Sequence, residues 1–168
     1  MARQSELLSG TPVLLTRPRA ESEGFAAALT ARFGDRLRPV VSPLIAPRYL
    51  TPEIPAGNHV AVAFTSAHGV EGARRLGIEL PRLAWCVGRK TAAAATAAGF
   101  LAKSADGTAD DLVRMIRSEP PDGRILYLRG VDTSSNILEK LNEFCIYGDV
   151  VIVYEQQAQP LSPEAIDL

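Results

Sequence analysis

Four short apolar segments recur along the chain, and each ends in a polar turn that leads into residues with helical spacing. The segments are PVLLTRP, HVAVAFTS, LAWCVGRKT and RILYLRG. A short apolar run bounded by turn residues is typical of a strand that is buried on both faces. We therefore predict parallel strands that alternate with helices, which makes the fold α/β with an open, helix-covered sheet.

The first predicted helix lies in the segment ESEGFAAALTARFGD. Phe25, Leu29 and Phe33 recur every fourth residue there, which is the spacing of one helix face. Gly34 follows the last of them, and glycine is the residue type that most often ends a helix. The pattern therefore predicts a helix that ends at Gly34.

Two further helices are predicted later in the chain. TAAAATAAGF is rich in alanine, the strongest helix former, and Thr91 is its predicted N-cap. TADDLVRMIRSEPP has Thr108 as its predicted N-cap and two aspartates in its first turn, where the helix dipole favours negative charge. No apolar segment immediately precedes this second helix, so we predict no strand there.

Two extended segments interrupt the alternation of strands and helices. VVSPLIAPRYLTPEIP, residues 40–55, contains prolines among apolar residues, which favours a connector or an edge strand over a central strand. YEQQAQPLSP, residues 154–163, is also extended and polar. If both segments run between the same two lobes, they pair as a hinge. We then expect residues 1–40 and 156–168 in one lobe, and residues 41–155, hinge strands included, in the other.

The end of the sequence also predicts an incomplete lobe. Ser162 and Pro163 form a good helix start, but only about one turn remains before Leu168. A helix of that length is marginal on its own. The first lobe then has two strands and one helix, which is too little for a closed core. We expect the sequence to be a C-terminally shortened version of a longer one.

Composition and charge exclude several classes of protein. The 168 residues are 46% hydrophobic and carry a formal net charge of −1, with Lys and Arg dispersed among acidic residues. That distribution argues against a nucleic-acid partner. No apolar run approaches the roughly 18 residues of a membrane helix, and no secretory signal is recognisable. We therefore expect a cytoplasmic monomer with no membrane partner, in which Cys86 and Cys145 are reduced thiols.

Polar residues and glycines follow the predicted strands. In open α/β sheets, ligands bind beyond the carboxyl ends of the strands, where helix N-termini present free amides. Gly88 and Gly130 are expected to let the backbone turn tightly beside a ligand. Such a set of amides, hydroxyls and cations suits an anion. The candidate binding residues are Thr16, Arg17, Thr65, Ser66, Ala67, Gly88, Arg89, Thr91, Arg129 and Gly130.

Each of these residues also has a plain structural explanation. Thr65, Ser66 and Thr91 are typical N-caps, and the arginines are equally typical of a solvated surface. His68 alone fits a polar turn better than a catalytic base. The two histidines and two cysteines lack the spacing of metal ligands, and the chain has no GxGxxG, GxSxG or Walker A motif. We therefore expect no metal site and neither of the commonest nucleotide-binding and hydrolase sites.

An ordered set of short motifs resembles the uroporphyrinogen-III synthase family. Each motif is weak alone, but together they span essentially the whole chain. They are LLTRP at 14–18, SPLIAP at 42–47, AFTSAHGV at 63–70, VGRKTAAAATAAGF at 87–100, ADGTADDLV at 105–113, YLRG at 127–130 and VYEQQAQPLSPEA at 153–165.

The resemblance implies a fold of flavodoxin-like, doubly wound parallel sheets. It implies one nearly complete lobe and part of a second, joined by a two-stranded hinge. The implied activity is that of a cyclising hydro-lyase without a cofactor, which closes the linear tetrapyrrole hydroxymethylbilane to uroporphyrinogen III with loss of water and inversion of ring D. A non-catalytic anion-binding module or an inactive shortened α/β module is the alternative.

The resemblance also implies roles for individual residues. Tyr154 in VYE matches the tyrosine proposed in the family to assist departure of the substrate hydroxyl, although a strand aromatic that merely fills the hinge explains it as well. Thr65, Ser66, Gly88 and Thr91 match cleft positions. In one departure, Cys145 stands where members commonly carry glycine after a helix, and we expect Gly148 to end that helix instead.

Overall fold

The computed structural model describes residues 10–132 and 136–168. These residues form two compact units. Unit 1 comprises the described residues up to Ala46 together with Gln157–Leu168, and unit 2 comprises Pro47–Gln156. The part of the predicted first lobe that precedes residue 10 lies outside the described residues.

Strands and helices alternate over most of the chain. The strands are β1 (Thr11–Leu15), β2 (Leu37–Val41), β3 (Ile45–Tyr49), β4 (His59–Phe64), β5 (Leu83–Cys86), β6 (Leu101–Ser104), β7 (Arg124–Gly130) and β8 (Gly148–Ala158). The helices are α1 (Arg19–Phe33), α2 (Ala67–Arg75), α3 (Arg89–Ala97), α4 (Ala109–Ser118), α5 (Ile137–Asn142) and α6 (Pro163–Ile166). A short 3₁₀ turn, Gly34–Arg36, follows α1.

Unit 2 is built on a sheet of order β3-β8-β7-β4-β5-β6, in which the strands from β8 to β6 are parallel neighbours. Alternate residues of β4 enter different cores. Ala61 and Ala63 pack with α4 and α5, whereas Val62 and Phe64 pack with α2 and α3. Helices therefore cover both faces, and this explains why the central strands are apolar at successive positions. The predicted doubly wound α/β fold is confirmed.

The prediction that no strand precedes α4 is wrong, because β6 lies there. β6 pairs in parallel with β5 at the edge of the sheet. Its residues alternate between exposed and half-buried, and Leu101 is 60% exposed. An edge strand of this kind lacks the continuous apolar run that identifies a central strand. Thr108, in contrast, caps α4 as predicted, in a capping box with Asp111.

The two extended segments pair with each other, as predicted. β3 is the edge strand beside β8. The Leu50 N–H donates to the Val153 carbonyl at 2.9 Å, and the Gln159 N–H donates to the Leu44 carbonyl at 2.8 Å. Leu44 precedes Leu50 in the first segment, but its partner Gln159 follows Val153 in the second, so the two segments run antiparallel. The chain passes between its two units twice, once after Ala46 and once after Gln156.

Unit 1 has a small interior. β1 and β2 form a two-stranded parallel sheet, and Leu15 and Val40 are its buried apolar residues. The predicted helix α1 is present and ends at Gly34, whose φ of 55° is left-handed. The apolar positions that predict α1 do not form a buried face, however, because Phe25 is 51% exposed and Phe33 is 38% exposed.

The loop after α5 differs from the expectation that Gly148 ends this helix. α5 ends at Asn142, and Cys145 itself adopts the left-handed conformation, with φ 59°. The Cys145 N–H donates to the Asn142 carbonyl at 3.0 Å. Cys145 therefore occupies a conformation that usually favours glycine, whereas Gly148 begins β8. Cys86 and Cys145 are both free thiols.

Over residues 10–132 and 136–168, no helix combines the length and the apolar character that crossing a membrane requires.

Candidate functional site

Most of the predicted site residues meet at one edge of the unit 2 sheet. Because β4, β5 and β7 are parallel, their carboxyl ends lie on the same side. We call this side the carboxyl edge and define it by the residues that end these strands or follow them, with Tyr154 of β8 paired to Gly130. Its members are Thr65, Ser66, Ala67, Gly88, Arg89, Thr91, Arg129, Gly130 and Tyr154.

Ser66 has two hydrogen-bonding partners at this edge. It is the N-cap of α2, and its Oγ accepts a hydrogen bond from the His68 N–H at 3.0 Å. The same Oγ accepts a second hydrogen bond from the Tyr154 hydroxyl at 3.1 Å. Ser66 is therefore both a helix cap and the partner of the tyrosine. Ala67 is the first residue of α2, so its N–H has no carbonyl acceptor within the helix.

Thr65 does not cap the helix. Its Oγ1 lies 3.2 Å from the hydroxyl of Tyr127, whose ring belongs to the fully buried core. Both oxygens can donate or accept, so each satisfies the other at the point where β4 leaves the core. Thr65 therefore ties the end of β4 to β7, and of the two residues only Ser66 serves as the cap.

The Tyr154 ring is enclosed on several sides. Its residue is 8% exposed, and its ring centroid lies 5.5 Å from that of His68 and 6.5 Å from that of Tyr49. A Cβ placed on Gly130 would lie 2.7 Å from Tyr154 Cζ. Gly130 is thus glycine because the tyrosine ring occupies the space beside it, and the expected tight turn is not the reason.

Tyr49 and His68 complete this group and were not among the predicted site residues. The Tyr49 hydroxyl lies 3.1 Å from His68 Nδ1. Burial and the nearby carboxylate of Glu71 raise the pKa of Tyr49, while the Arg75 guanidinium, 4.3 Å from the ring centre, acts in the opposite direction. Tyr49 is therefore a neutral hydroxyl at ordinary pH. Its position in the proline-rich edge strand gave no sequence signal.

The end of β5 differs from the prediction in two respects. Gly88 is the N-cap of α3, so Thr91 lies inside the helix and is not its cap. Gly88 is extended, with φ −135°, and a Cβ there would meet nothing within 4 Å. Neither a tight turn nor a close neighbour requires glycine. Arg89 is exposed and its Nε donates to Asp106 Oδ2 at 2.8 Å, so this cation already has a carboxylate partner.

Arg129 is held at the carboxyl edge by the backbone. Its Nη1 donates to the carbonyls of Gly130 and Val131, at 2.8 and 2.9 Å. Its Nε is buried and has no hydrogen-bond partner. A planar guanidinium with an unused N–H is suited to a carboxylate.

Thr16 and Arg17 follow β1 in unit 1 and are not part of the sheet that forms the carboxyl edge. The Thr16 carbonyl accepts from the Leu44 N–H at 3.1 Å, and the Arg17 carbonyl accepts from the Ser22 hydroxyl at 2.8 Å. The Arg17 side chain is exposed. Their backbone carbonyls thus stabilise the turn between β1 and α1.

A second polar cluster lies at the opposite, amino-terminal edge of the unit 2 strands. His59 Nε2 lies 2.8 Å from Asp149 Oδ2, and Arg124 donates to both oxygens of Asp149, each at 2.8 Å. The hydrogen bonds from Arg124 and His59 lower the pKa of Asp149 to about 2. Within the described part of the chain, no group of three or more His, Cys, Asp or Glu side chains is arranged to hold a metal ion.

Solved structures with a similar fold include uroporphyrinogen-III synthases. The enzyme from Helicobacter pylori shares 18% identity with a TM-score of 0.56, over 76% of this chain and 60% of that one. A mutant enzyme from the extremely thermophilic bacterium Thermus thermophilus shares 21% identity with a TM-score of 0.52, over 94% of this chain and 66% of that one. The chain thus spans less than two thirds of the length of either structure.

Sequence comparison assigns the family. No curated protein sequence matches the chain. The family model described as uroporphyrinogen-III synthase HemD matches residues 24–168, which include every residue of the carboxyl edge. The chain therefore belongs to the uroporphyrinogen-III synthase family.

Proposed function

We propose that the carboxyl edge of unit 2 is part of a site that cyclises hydroxymethylbilane to uroporphyrinogen III. Family membership supports this activity. The observation that carries the proposal is the hydrogen-bonded pair of hydroxyls, Tyr154 and Ser66, at the edge where parallel sheets bind their ligands. The proposed reaction is a cofactor-independent loss of water with inversion of ring D.

The substrate is an octacarboxylate, and the chain has a formal net charge of −1. Binding must therefore come from local donors. The first turns of α2 and α3 present free N–H groups and the positive ends of their helix dipoles. Arg129 adds its unpartnered Nε–H. The proposed binding residues of this edge are Thr65, Ser66, Ala67, Gly88, Arg89, Thr91, Arg129 and Gly130. Thr16 and Arg17, in unit 1, are proposed separately as anion-binding residues.

The chemical step begins when the hydroxyl of the substrate leaves. A hydroxyl is a poor leaving group, so a donor must protonate or hydrogen-bond it as the carbon–oxygen bond breaks. The Tyr154–Ser66 pair is the proposed donor. The azafulvene cation that remains is then attacked by the substituted carbon of ring D. The site has to hold both ends of the substrate so that this attack is faster than simple closure.

We also propose that the protein acts as a cytoplasmic monomer, without a nucleic-acid or membrane partner. The dispersed charges and the formal net charge of −1 support the absence of a nucleic-acid partner, because the chain has no cluster of basic residues to bind a phosphate backbone.

Isomer analysis tests the proposed activity. The chain is incubated with hydroxymethylbilane generated enzymatically, and the oxidised porphyrins are separated by chromatography. The proposal predicts an excess of the type III isomer, and Tyr154→Phe should slow its formation by about 100-fold. Tyr147→Phe, at an exposed tyrosine in the same unit, is the matched control. Type I product alone contradicts the proposal and favours the non-catalytic anion-binding module, because uncatalysed closure gives that isomer.

A further inference from the structure

The hydrogen bonds of Ser66 determine which way its own proton points. A serine hydroxyl has two acceptor lone pairs and one O–H donor. The His68 N–H and the Tyr154 hydroxyl both donate to Ser66 Oγ. Both lone pairs are therefore occupied, and the remaining group is the O–H. Among the described residues, none accepts the proton of Ser66, so the structure leaves this donor available.

Tyr154 is less accessible than Ser66. Its residue is 8% exposed, its hydroxyl proton is directed at Ser66 Oγ, and its ring is enclosed by Tyr49, His68 and Gly130. Ser66 is half-buried and stands at the start of α2. A ligand at the carboxyl edge therefore reaches the serine hydroxyl more readily than the tyrosine hydroxyl.

We propose that Ser66 is the catalytic residue that touches the leaving hydroxyl, and that Tyr154 is a positioning residue that supplies the proton through it. This inference rests on the proposed function. As the carbon–oxygen bond breaks, the Ser66 proton passes to the leaving hydroxyl, which departs as water. The Tyr154 proton passes to Ser66, leaving tyrosinate and the azafulvene cation. The proton that ring D loses after ring closure restores Tyr154.

The surroundings of the pair favour this relay. The His68 N–H remains bonded to Ser66 Oγ throughout, so the oxygen keeps its position while protons move. The positive end of the α2 dipole lies at the same residue and stabilises negative charge on the pair. Tyr49 holds the His68 ring through Nδ1, and this ring packs on Tyr154. The relay therefore needs no large movement of side chains.

A double-mutant cycle distinguishes the relay from direct donation by Tyr154. In the relay, Ser66→Ala should lower kcat at least as much as Tyr154→Phe, and the double variant should be no slower than Ser66→Ala. Ser66→Thr keeps the hydroxyl and should restore most of the activity. If Tyr154 donates directly, Ser66→Ala is milder than Tyr154→Phe and the two effects multiply. That outcome overturns the inference.

Ser66→Ala removes both the N-cap of α2 and the proposed proton donor, so the two effects have to be measured separately. Thr108→Ala removes the N-cap of α4 in the same unit and should lower Tm without changing kcat. If Ser66→Ala does not fold, Ser66→Gly removes the same hydroxyl, and glycine is well tolerated at an N-cap. A wild-type level of kcat in Ser66→Gly contradicts the relay.

A proton inventory in mixtures of H2O and D2O gives an independent readout. Two protons move together in the relay, so kcat should fall along a curve as the D2O fraction rises. Direct donation moves one proton and gives a straight line, which overturns the inference. Failure of the proposed function is distinct from either inventory result, because the wild-type chain would then form only the type I isomer.

Discussion

The two ends of the unit 2 strands carry polar clusters that differ in how completely their groups are paired. At the amino-terminal edge, Asp149 accepts hydrogen bonds from both Arg124 and His59. At the carboxyl edge, Ser66 keeps a free O–H, and the Arg129 Nε has no partner. A cluster whose polar groups all hydrogen-bond to one another stabilises the fold, whereas a cluster with unpaired hydrogen-bond donors is available to bind a ligand. The two edges therefore have different proposed roles, and the following changes test that difference.

The largest effect is expected from Gly130→Ala. The new Cβ would lie 2.7 Å from Tyr154 Cζ, so the ring must move and its hydroxyl loses alignment with Ser66. We expect kcat to fall about 100-fold, because moving a catalytic group by about 1 Å can lower the rate of a well-aligned site by that factor. Gly24→Ala, in α1, is the matched control, because its Cβ would meet nothing within 4 Å and alanine is favoured over glycine in a helix. Steady-state kinetics on both variants measure the effect, and equal losses would contradict the account.

The second effect concerns stability and is expected from Asp149→Asn. The variant weakens the hydrogen bonds from Arg124 and His59, whose side chain is 8% exposed. We expect the free energy of unfolding to fall by about 1 to 3 kcal/mol, with an unchanged ratio of type III to type I product. Asp110→Asn breaks an exposed ion pair with Lys140 and should cost less than about 1 kcal/mol. Denaturant titration checks both values, and a changed isomer ratio in Asp149→Asn would contradict a purely structural role.

Arg129→Gln tests the buried, unpartnered donor at the carboxyl edge. The variant removes the positive charge and the guanidinium, so KM should rise about tenfold, the loss expected for one charge-assisted hydrogen bond. Arg89→Gln removes a cation that already pairs with Asp106, and its effect on KM should be smaller. Initial rates over a range of substrate concentrations compare the two. A larger effect at Arg89 would show that the unpartnered Nε is not the binding group.

The smallest effect is the contribution of Asp149 to the pH dependence of stability. Its hydrogen bonds lower its pKa in the folded state from 3.8 to about 2. A depressed carboxyl pKa stabilises the fold above the unfolded value, and this contribution is lost as pH falls through the folded value. Unfolding experiments between about pH 5 and pH 2 should therefore show a slope that Asp149→Asn reduces. An identical slope in both proteins would contradict this role.

The apolar pattern predicts the central strands because burial on both faces requires apolar residues at successive positions. β4 and β7 are buried on both faces, so successive apolar residues identify them without further information. β6 escapes prediction because an exposed edge strand needs no such run. The prediction that Thr91 caps α3 is wrong for a local reason. The helix begins at Arg89, with Gly88 as its N-cap, which is earlier than the alanine-rich segment indicates.

The candidate site is only partly predictable, since its contacts join residues far apart in the chain. Ser66 and Tyr154 are each recognisable at a strand end or in a motif, but their hydrogen bond depends on the strand order β8-β7-β4. The contact of Tyr49 with His68 depends on β3 joining the same sheet beside β8. No local pattern encodes that order, so these neighbours become visible only in the folded structure.

The most direct test is to determine which edge of the unit 2 sheet binds the tetrapyrrole. The octacarboxylate product uroporphyrinogen III is titrated into the ¹⁵N-labelled chain, and the backbone amide shifts are followed by NMR. We expect the largest shifts at Ser66, Ala67 and Gly130, with little change at His59 and Asp149. Shifts concentrated at His59 and Asp149, with an unperturbed carboxyl edge, would contradict it.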